Sequence, residues 1–402
     1  MNLEIPRKFN AIIHQAHQVA TEVFRTISRK YDRLEHAYPV ELDMLASIMD
    51  GMNDSDLHGG AGASKLRQHK DPAQQRIVNG TNMSTVLGLI ELCWGDVGLA
   101  LSLPRQGLGN AAIAAVANEE QLERFKHHWA AMAITEPGAG SDSASITTTA
   151  RLDGDDYVIN GEKIFVTAGS RCDAVVVWAT LDKSLGRAAI KSFVVEKGTP
   201  GMELVRLEKK LGIRASDTAT LVFTDCRIPK ENLLGSPDID TKQGFGGVMQ
   251  TFDNTRPVVA AMAVGVARAS LELTRELLGR EGIQADYQHP LFNSHAAVAE
   301  LYRMEADLEA SRLLTLKAAW MADNGMPNSK EASMAKAKAG RSANHITLRC
   351  SELCGSLGYS EKHLLEKWAR DSKILDIFEG TQQIQQLIIA RRLLEKTSAQ
   401  LR

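Results

Sequence analysis

The 402-residue sequence predicts an α+β fold in three consecutive units: a helical domain over 1–128, a β-domain over 129–238 and a helical bundle over 239–402. Two observations carry this. Apolar residues recur at three-and-four spacing before about Glu123 and again after Thr241, as helices with one buried face require. Between them the pattern changes to short β-type runs separated by turn clusters. The order helices, strands, helices lacks the strand–helix alternation of a doubly wound parallel sheet, which excludes that architecture.

The first helical signals run through Phe9, Ile12, Ile13, Val19, Val23 and Phe24, and recur from Thr85 to Leu103, with a loop expected over Gly51–Gly62. The strand runs are YVI, KIFVT, DAVVVWATL, KSFVVE and ATLVF, divided by LDGDD and KGTPG. Long helical stretches then follow: FGGVMQTFDNTRPVVAAMAVGVARASLELTRELL, HAAVAELYRMEADLEASRLLTLKAAWMA, KEASMAKAKAGRSANHITLRCSELCGSL, and a last one from Thr381 to Leu394.

Composition narrows the function. With 44% hydrophobic and 24% charged residues the chain has the makeup of a globular protein. Its 47 Lys+Arg against 49 Asp+Glu leave a net charge of -2, so no global basic field exists to hold a nucleic acid or an anionic membrane. The charged start, MNLEIPRKFNAII, is unlike a signal peptide, and no run of about 18 uncharged apolar residues occurs. The expectation is a cytoplasmic protein without a membrane anchor. Cys93, Cys172, Cys226, Cys350 and Cys354 are few, scattered and odd in number, which fits free thiols in a reducing compartment. No metal site is expected, since Cys350 and Cys354, with His345 and His363 nearby, lack a second ligand pair at zinc spacing.

Four segments carry the candidate chemistry. In Thr135-Glu136-Pro137-Gly138-Ala139-Gly140-Ser141-Asp142, two glycines remove side-chain bulk while hydroxyls and N–H donors remain, which suits close approach of a planar or phosphorylated ligand. By itself the stretch also reads as an ordinary turn. Phe165 and Thr167 follow in KIFVTAG, and Asp253 and Arg256 in Phe252–Pro257, which enters a helix. In Ile377–Gln385 a lone carboxylate, Glu379, lies between Phe378 and Gly380. An aromatic neighbour raises such a pKa toward what a general base near neutral pH needs, although an acid at a helix start also suits the dipole. Ser333-x-x-Lys336, a match to a serine acylase motif without its companions, reads as a solvated face of an Ala/Lys-rich helix.

Together, TEPGAGSD, KIFVTAG, LGIRASDTATLVFTDCRIPKENLLG, FDNTRPVVAAMAVGVA and IFEGTQQIQ, in this order, resemble the acyl-CoA dehydrogenase family, closely from about Leu99 to Arg392. The resemblance implies a β-barrel-like middle domain, a C-terminal four-helix bundle, and FAD bound between them. It implies that Met132, Ile134, Thr135, Gly140, Ser141, Phe165, Thr167, Arg280, Thr381 and Gln383 surround flavin, and that Ser141, Asp253, Arg256, Phe378 and Gly380 face the acyl-CoA. Glu379 matches the catalytic base; Thr255, at the position where some relatives carry theirs, cannot serve. The implied reaction takes an α-proton to Glu379 and a β-hydride to FAD, giving a trans-2-enoyl-CoA, with an electron-transfer flavoprotein reoxidising the cofactor.

Family members are usually tetramers in which each FAD also touches a neighbouring subunit. Of the residues that would make that contact, Arg280 is retained, whereas Ile283, Phe292 and Glu352 replace the usual types. A carboxylate about 4 Å from a pyrophosphate is disfavoured by roughly 4 kcal/mol at an effective dielectric of 20. Either Glu352 pairs with Arg349 or faces solvent in a homotetramer, or a paralogous subunit supplies the contacts in a heterotetramer. An acyl-CoA oxidase and a non-catalytic partner subunit are the alternatives for function.

Overall fold

The computed structural model describes residues 5–52, 80–104, 107–239, 246–288, 290–397 and 400, without the side chains of 48–52, 246–254 and 291. Helices α1 (Asn10–Val19) and α2 (Arg25–Arg33) join through a π-helical turn at Ala20–Phe24, followed by α3 (Glu41–Met52). Of the loop expected over Gly51–Gly62, Gly51 and Met52 lie in α3 instead, and the remainder lies outside the described residues. Helices α4 (Thr81–Gly95), α5 (Val97–Ala100), α6 (Leu108–Val116) and α7 (Glu119–Phe125) complete the first helical region. A capping box between Asn118 and Gln121 starts α7.

Seven strands follow: β1 (Ala130–Ala133), β2 (Thr149–Asp153), β3 (Asp156–Thr167), β4 (Ala174–Thr180), β5 (Ile190–Glu196), β6 (Met202–Leu207) and β7 (Thr218–Pro229). They form one curled sheet of order β1-β4-β2-β3-β7-β6, with β5 also on β4. The runs YVI and KIFVT are one strand, β3, bulged near Gly161 and again beyond Lys163. Strand β4 is apolar along its whole length because both faces are covered. Val175 and Val177 enter a cluster with Phe193 and Phe223, while Val176 and Trp178 face Ile113 and Phe125 of α6 and α7.

The remaining helices are α8 (Gly246–Arg280), α9 (Ala296–Asp323), α10 (Ser329–Leu353), α11 (Gly355–Tyr359), α12 (Leu365–Ser372) and α13 (Gln382–Leu394). Helices α8, α9, α10 and α13 pack as a bundle, with α4 laid against α8. Within α8, Thr255–Arg280 is long and apolar enough to cross a membrane, yet 83% of its apolar 18-residue stretch is buried in the protein, where the helical core accounts for its composition. Phe252–Pro257 does not start this helix: Pro257 lies inside it.

A buried ionic knot ties the three regions together. Lys367 of α12 donates to Asp96 at 2.7 Å and to Asp371 at 2.5 Å, and Ser28 of α2 also bonds Asp96. Asp371 in turn accepts from the Ile213 N–H, on the β6–β7 loop, at 2.6 Å.

Candidate active site

The glycine-rich stretch is anchored from beneath. Glu136 is buried and accepts from the Thr147 and Thr148 N–H groups at 2.6 and 2.9 Å, from the Thr147 hydroxyl, and from Lys163 Nζ at 2.8 Å. Lys163 also reaches the Ile134 carbonyl at 3.0 Å. Burial alone would raise the Glu136 carboxyl, but Lys163 and the threonine donors outweigh it and hold the pKa to about 2. Burial draws the Lys163 ammonium down to about 8, so the pair is ionised at neutral pH. Neither residue stood out in the sequence, because Glu136 sits in a turn-like stretch and Lys163 directly follows Glu162, where both read as exposed.

Above this anchor, Met132 lies on β1, Ile134 is buried, and the Thr135 carbonyl accepts the Ile164 N–H at 2.9 Å, which sets Thr135 beside Phe165. Phe165 is 60% exposed and has a left-handed backbone, φ 59°, an uncommon conformation for an aromatic residue. Thr167 pairs with Thr218 two positions on. Ser141, Gly138 and Gly140 are exposed, and a Cβ added at either glycine would meet nothing within 4 Å. An open shelf with hydroxyls at its edge and an exposed aromatic fits a flavin, which needs polar donors around a flat apolar ring.

A second cluster forms on the bundle. Glu379 follows a short 3-10 helix, Lys373–Asp376, and is itself left-handed, φ 56°, with Gly380 at φ 89°. The Thr255 hydroxyl of α8 donates to Glu379 Oε2 at 2.8 Å. Arg256 is buried beside it, close enough for its charge to act on Glu379. Burial raises the Glu379 carboxyl pKa, while Thr255, Arg256 and Lys336 each offset part of that rise. Thr255, which cannot itself serve as a base, is therefore the hydrogen-bond partner of Glu379.

Lys336 is the main correction to the sequence reading. It is 1% exposed rather than solvated, and its Nζ donates to the Gly380 carbonyl at 2.6 Å; Ser333 is buried too. The spacing misled because α10 is packed on both sides, by α8 and α9 and by α13.

The other candidate residues fall outside these two clusters or have structural duties. Thr381 caps α13 by accepting the Ile384 N–H, and Gln383 is exposed. Phe378 packs partly buried against the helical core. The side chain of Asp253 lies outside the described residues. Arg280 pairs with Glu276, Glu352 pairs with Arg349 at 2.7 Å, Ile283 packs on the helical core, and Phe292 is 86% exposed. No hydrogen bond between described residues joins the Phe165–Thr167 shelf to the Glu379 turn. Instead the two supports are docked together through Asp371–Ile213 and through Arg370, whose Nη1 donates to the Leu211 carbonyl at 2.9 Å.

Comparison with known proteins places this arrangement. Residues 131–226 match the family model for the acyl-CoA dehydrogenase middle domain, and residues 242–394 that for the acyl-CoA dehydrogenase C-terminal domain. The chain is 42% identical over 263 residues to the mitochondrial short-chain specific acyl-CoA dehydrogenase of Bos taurus, a match covering 65% of this chain and 62% of that protein's length. It is 31% identical to the short-chain specific acyl-CoA dehydrogenase of Clostridium acetobutylicum across 98% of this chain and 100% of the relative. The solved structure of butyryl-CoA dehydrogenase from Megasphaera elsdenii superposes with a TM-score of 0.83 at 30% identity, covering 98% of this chain and 100% of the other. With both domains matched and the Clostridium acetobutylicum relative aligned over 98% of the chain at 31% identity, the chain belongs to the acyl-CoA dehydrogenase family.

Proposed function

We propose that this chain is an FAD-dependent acyl-CoA dehydrogenase that converts an acyl-CoA thioester to the trans-2-enoyl-CoA, with Glu379 as base. The observation that carries the reading is the Glu379 carboxylate, raised in pKa by burial and yet held by the Thr255 hydroxyl on a strained turn. Such a group can take a proton from a weak carbon acid and is already aimed. Thr135, Ser141, Phe165 and Thr167 would hold the flavin. Bound FAD supplies the acceptor for the β-hydride. The thioester carbonyl needs a fixed donor as negative charge develops on it, and the Glu379 N–H belongs to the turn that Lys336 and Gln385 hold in place. Buried Arg256 adds positive charge on the same side of the base.

The relatives named short-chain specific support a short acyl group, and the structural likeness to a chain in a solved structure named for an electron transferring flavoprotein supports such a flavoprotein as the electron acceptor. Turnover of an acyl-CoA series with an artificial acceptor tests this reading, short chains being turned over fastest. Glu379→Gln preserves shape and removes the base, so FAD and acyl-CoA binding persist while turnover falls about 100- to 10,000-fold. Residual activity within about tenfold of the parent would remove Glu379 from the role.

We further propose that the assembly is a heterotetramer with a paralogous subunit. Phe292 is 86% exposed and Ile283 is taken into the chain's own core, so neither stands in for the usual contact to a neighbour's cofactor, whereas Glu352 pairs with Arg349 as a homotetramer would have it.

A further inference from the structure

Three lysines in this protein are almost completely buried: Lys163, Lys336 and Lys367. Burying an ammonium is costly unless an opposite charge compensates it. Lys163 has Glu136 at 2.8 Å, and Lys367 has Asp96 at 2.7 Å and Asp371 at 2.5 Å. Among the described residues, Lys336 has no carboxylate at ion-pair distance; its recorded bond is to the Gly380 carbonyl at 2.6 Å. A packed apolar side chain there would be cheaper, so stability alone gives no reason for a lysine.

The place it reaches is the turn that carries the base. Glu379 at φ 56° occupies a left-handed conformation that costs a residue with a Cβ about 1 kcal/mol or more. Two side chains hold it from the bundle side. Gln385 Nε2 donates to the Glu379 and Gly380 carbonyls at 3.0 and 3.2 Å, and Lys336 donates to Gly380. Gln385 therefore already supplies neutral donors. What Lys336 adds is a positive charge.

We propose that Lys336 is the positioning residue of the catalytic turn, its ammonium fixing Gly380 and holding positive charge beside the Glu379 carboxylate so that the base stays ionised. This rests on Glu379 being the base. The charged groups acting on Lys336 are Arg256 from α8, Asp376 from the preceding turn, and Glu379 itself. Burial draws the Lys336 pKa down to about 8, so it is charged below that pH, over the range in which Glu379 must ionise. Removing the cation leaves burial less opposed and raises the Glu379 pKa further.

The test compares Lys336→Met, Lys336→Gln and Lys336→Arg in the full-length, FAD-loaded protein. Two readouts are followed: the pH profile of turnover and an isotope-edited infrared titration of the Glu379 carboxyl without substrate, assigned with Glu379→Gln. The proposal expects the acid limb and the infrared titration to move upward together by about one pH unit in the Met and Gln variants. Turnover lost below the new limb returns above it, with KM little changed and the Arg variant close to the parent. An unmoved infrared titration in the Gln variant, or an equal shift in the Arg variant, overturns it. Loss of soluble protein in all three also overturns it, since Lys336 would then be a packing residue. If the infrared shift appears while Glu379→Gln remains active, the assigned base is wrong and the positioning role falls with it, leaving only the charge of Lys336 acting on Glu379.

Discussion

At the residue scale, the Thr255 hydroxyl stabilises the ionised form of Glu379, and a hydrogen bond to a charged group contributes about 1.5–3 kcal/mol. Thr255→Val keeps the volume and removes the donor, so the Glu379 pKa rises and the acid limb of the kcat profile moves up by about one to two pH units. An unchanged limb would show that the bond does not act on the base. Glu136 has the opposite sign. Its folded pKa, about 2, lies below the ordinary 4.5, so its stabilisation is present above about 4.5 and is lost as pH falls toward 2. Lys163→Met strands that carboxylate and is expected to cost about 3–5 kcal/mol, read as a fall in Tm at neutral pH and weaker flavin retention. Glu379 was legible because its neighbours form a motif. Lys336 was not, because a lysine among alanines at helical spacing looks the same whether it faces water or a second layer of helices.

At the element scale, the long helices and the apolar strands β3, β4, β5 and β7 could be read from periodicity, since each buries a continuous face. Strand β1, AAMA, has too little bulk to signal a strand and is recruited by β4 in parallel register, Ala130 opposite Ala174. Strand β6, MELVRL, is largely exposed, and its pairing with β7 defines it more than its own pattern does. The β6–β7 loop matters most for the site, because it presses on α12 a few residues before the base. A Cβ on Gly212 would stand 2.5 Å from the Arg370 backbone. Gly212→Ala is therefore expected to force loop and helix apart, costing about 1–3 kcal/mol in denaturant unfolding and lowering kcat. A parent-like Tm and kcat would show that the docking has slack.

At the scale of the whole molecule, the three-part order of the fold was readable from the change of period alone, whereas the assembly depends on surfaces for which sequence spacing carries no signal. Tyr359 and Phe292 are 88% and 86% exposed, so large apolar side chains are left on the surface of the single chain. Expressed alone, the chain should hold less than one FAD per subunit, and co-expression with a paralogous subunit should restore soluble, coloured tetramer, measured by native mass spectrometry and flavin absorbance. A stable homotetramer with one FAD per chain, active unaided, would refute the heteromeric assembly.

The knot of Ser28, Asp96, Ile213, Lys367 and Asp371 draws one partner set from three regions separated by hundreds of positions in the chain. Its side-chain members, Ser28, Asp96, Lys367 and Asp371, must be inherited together, whereas at 213 only a backbone N–H is used, which any residue but proline supplies. A chimaera that took the first helical region from one relative and the bundle from another could leave Lys367 without Asp96. Exchange of parts is thus limited to crossovers that carry both helical regions, while the β-domain between them is the less constrained part.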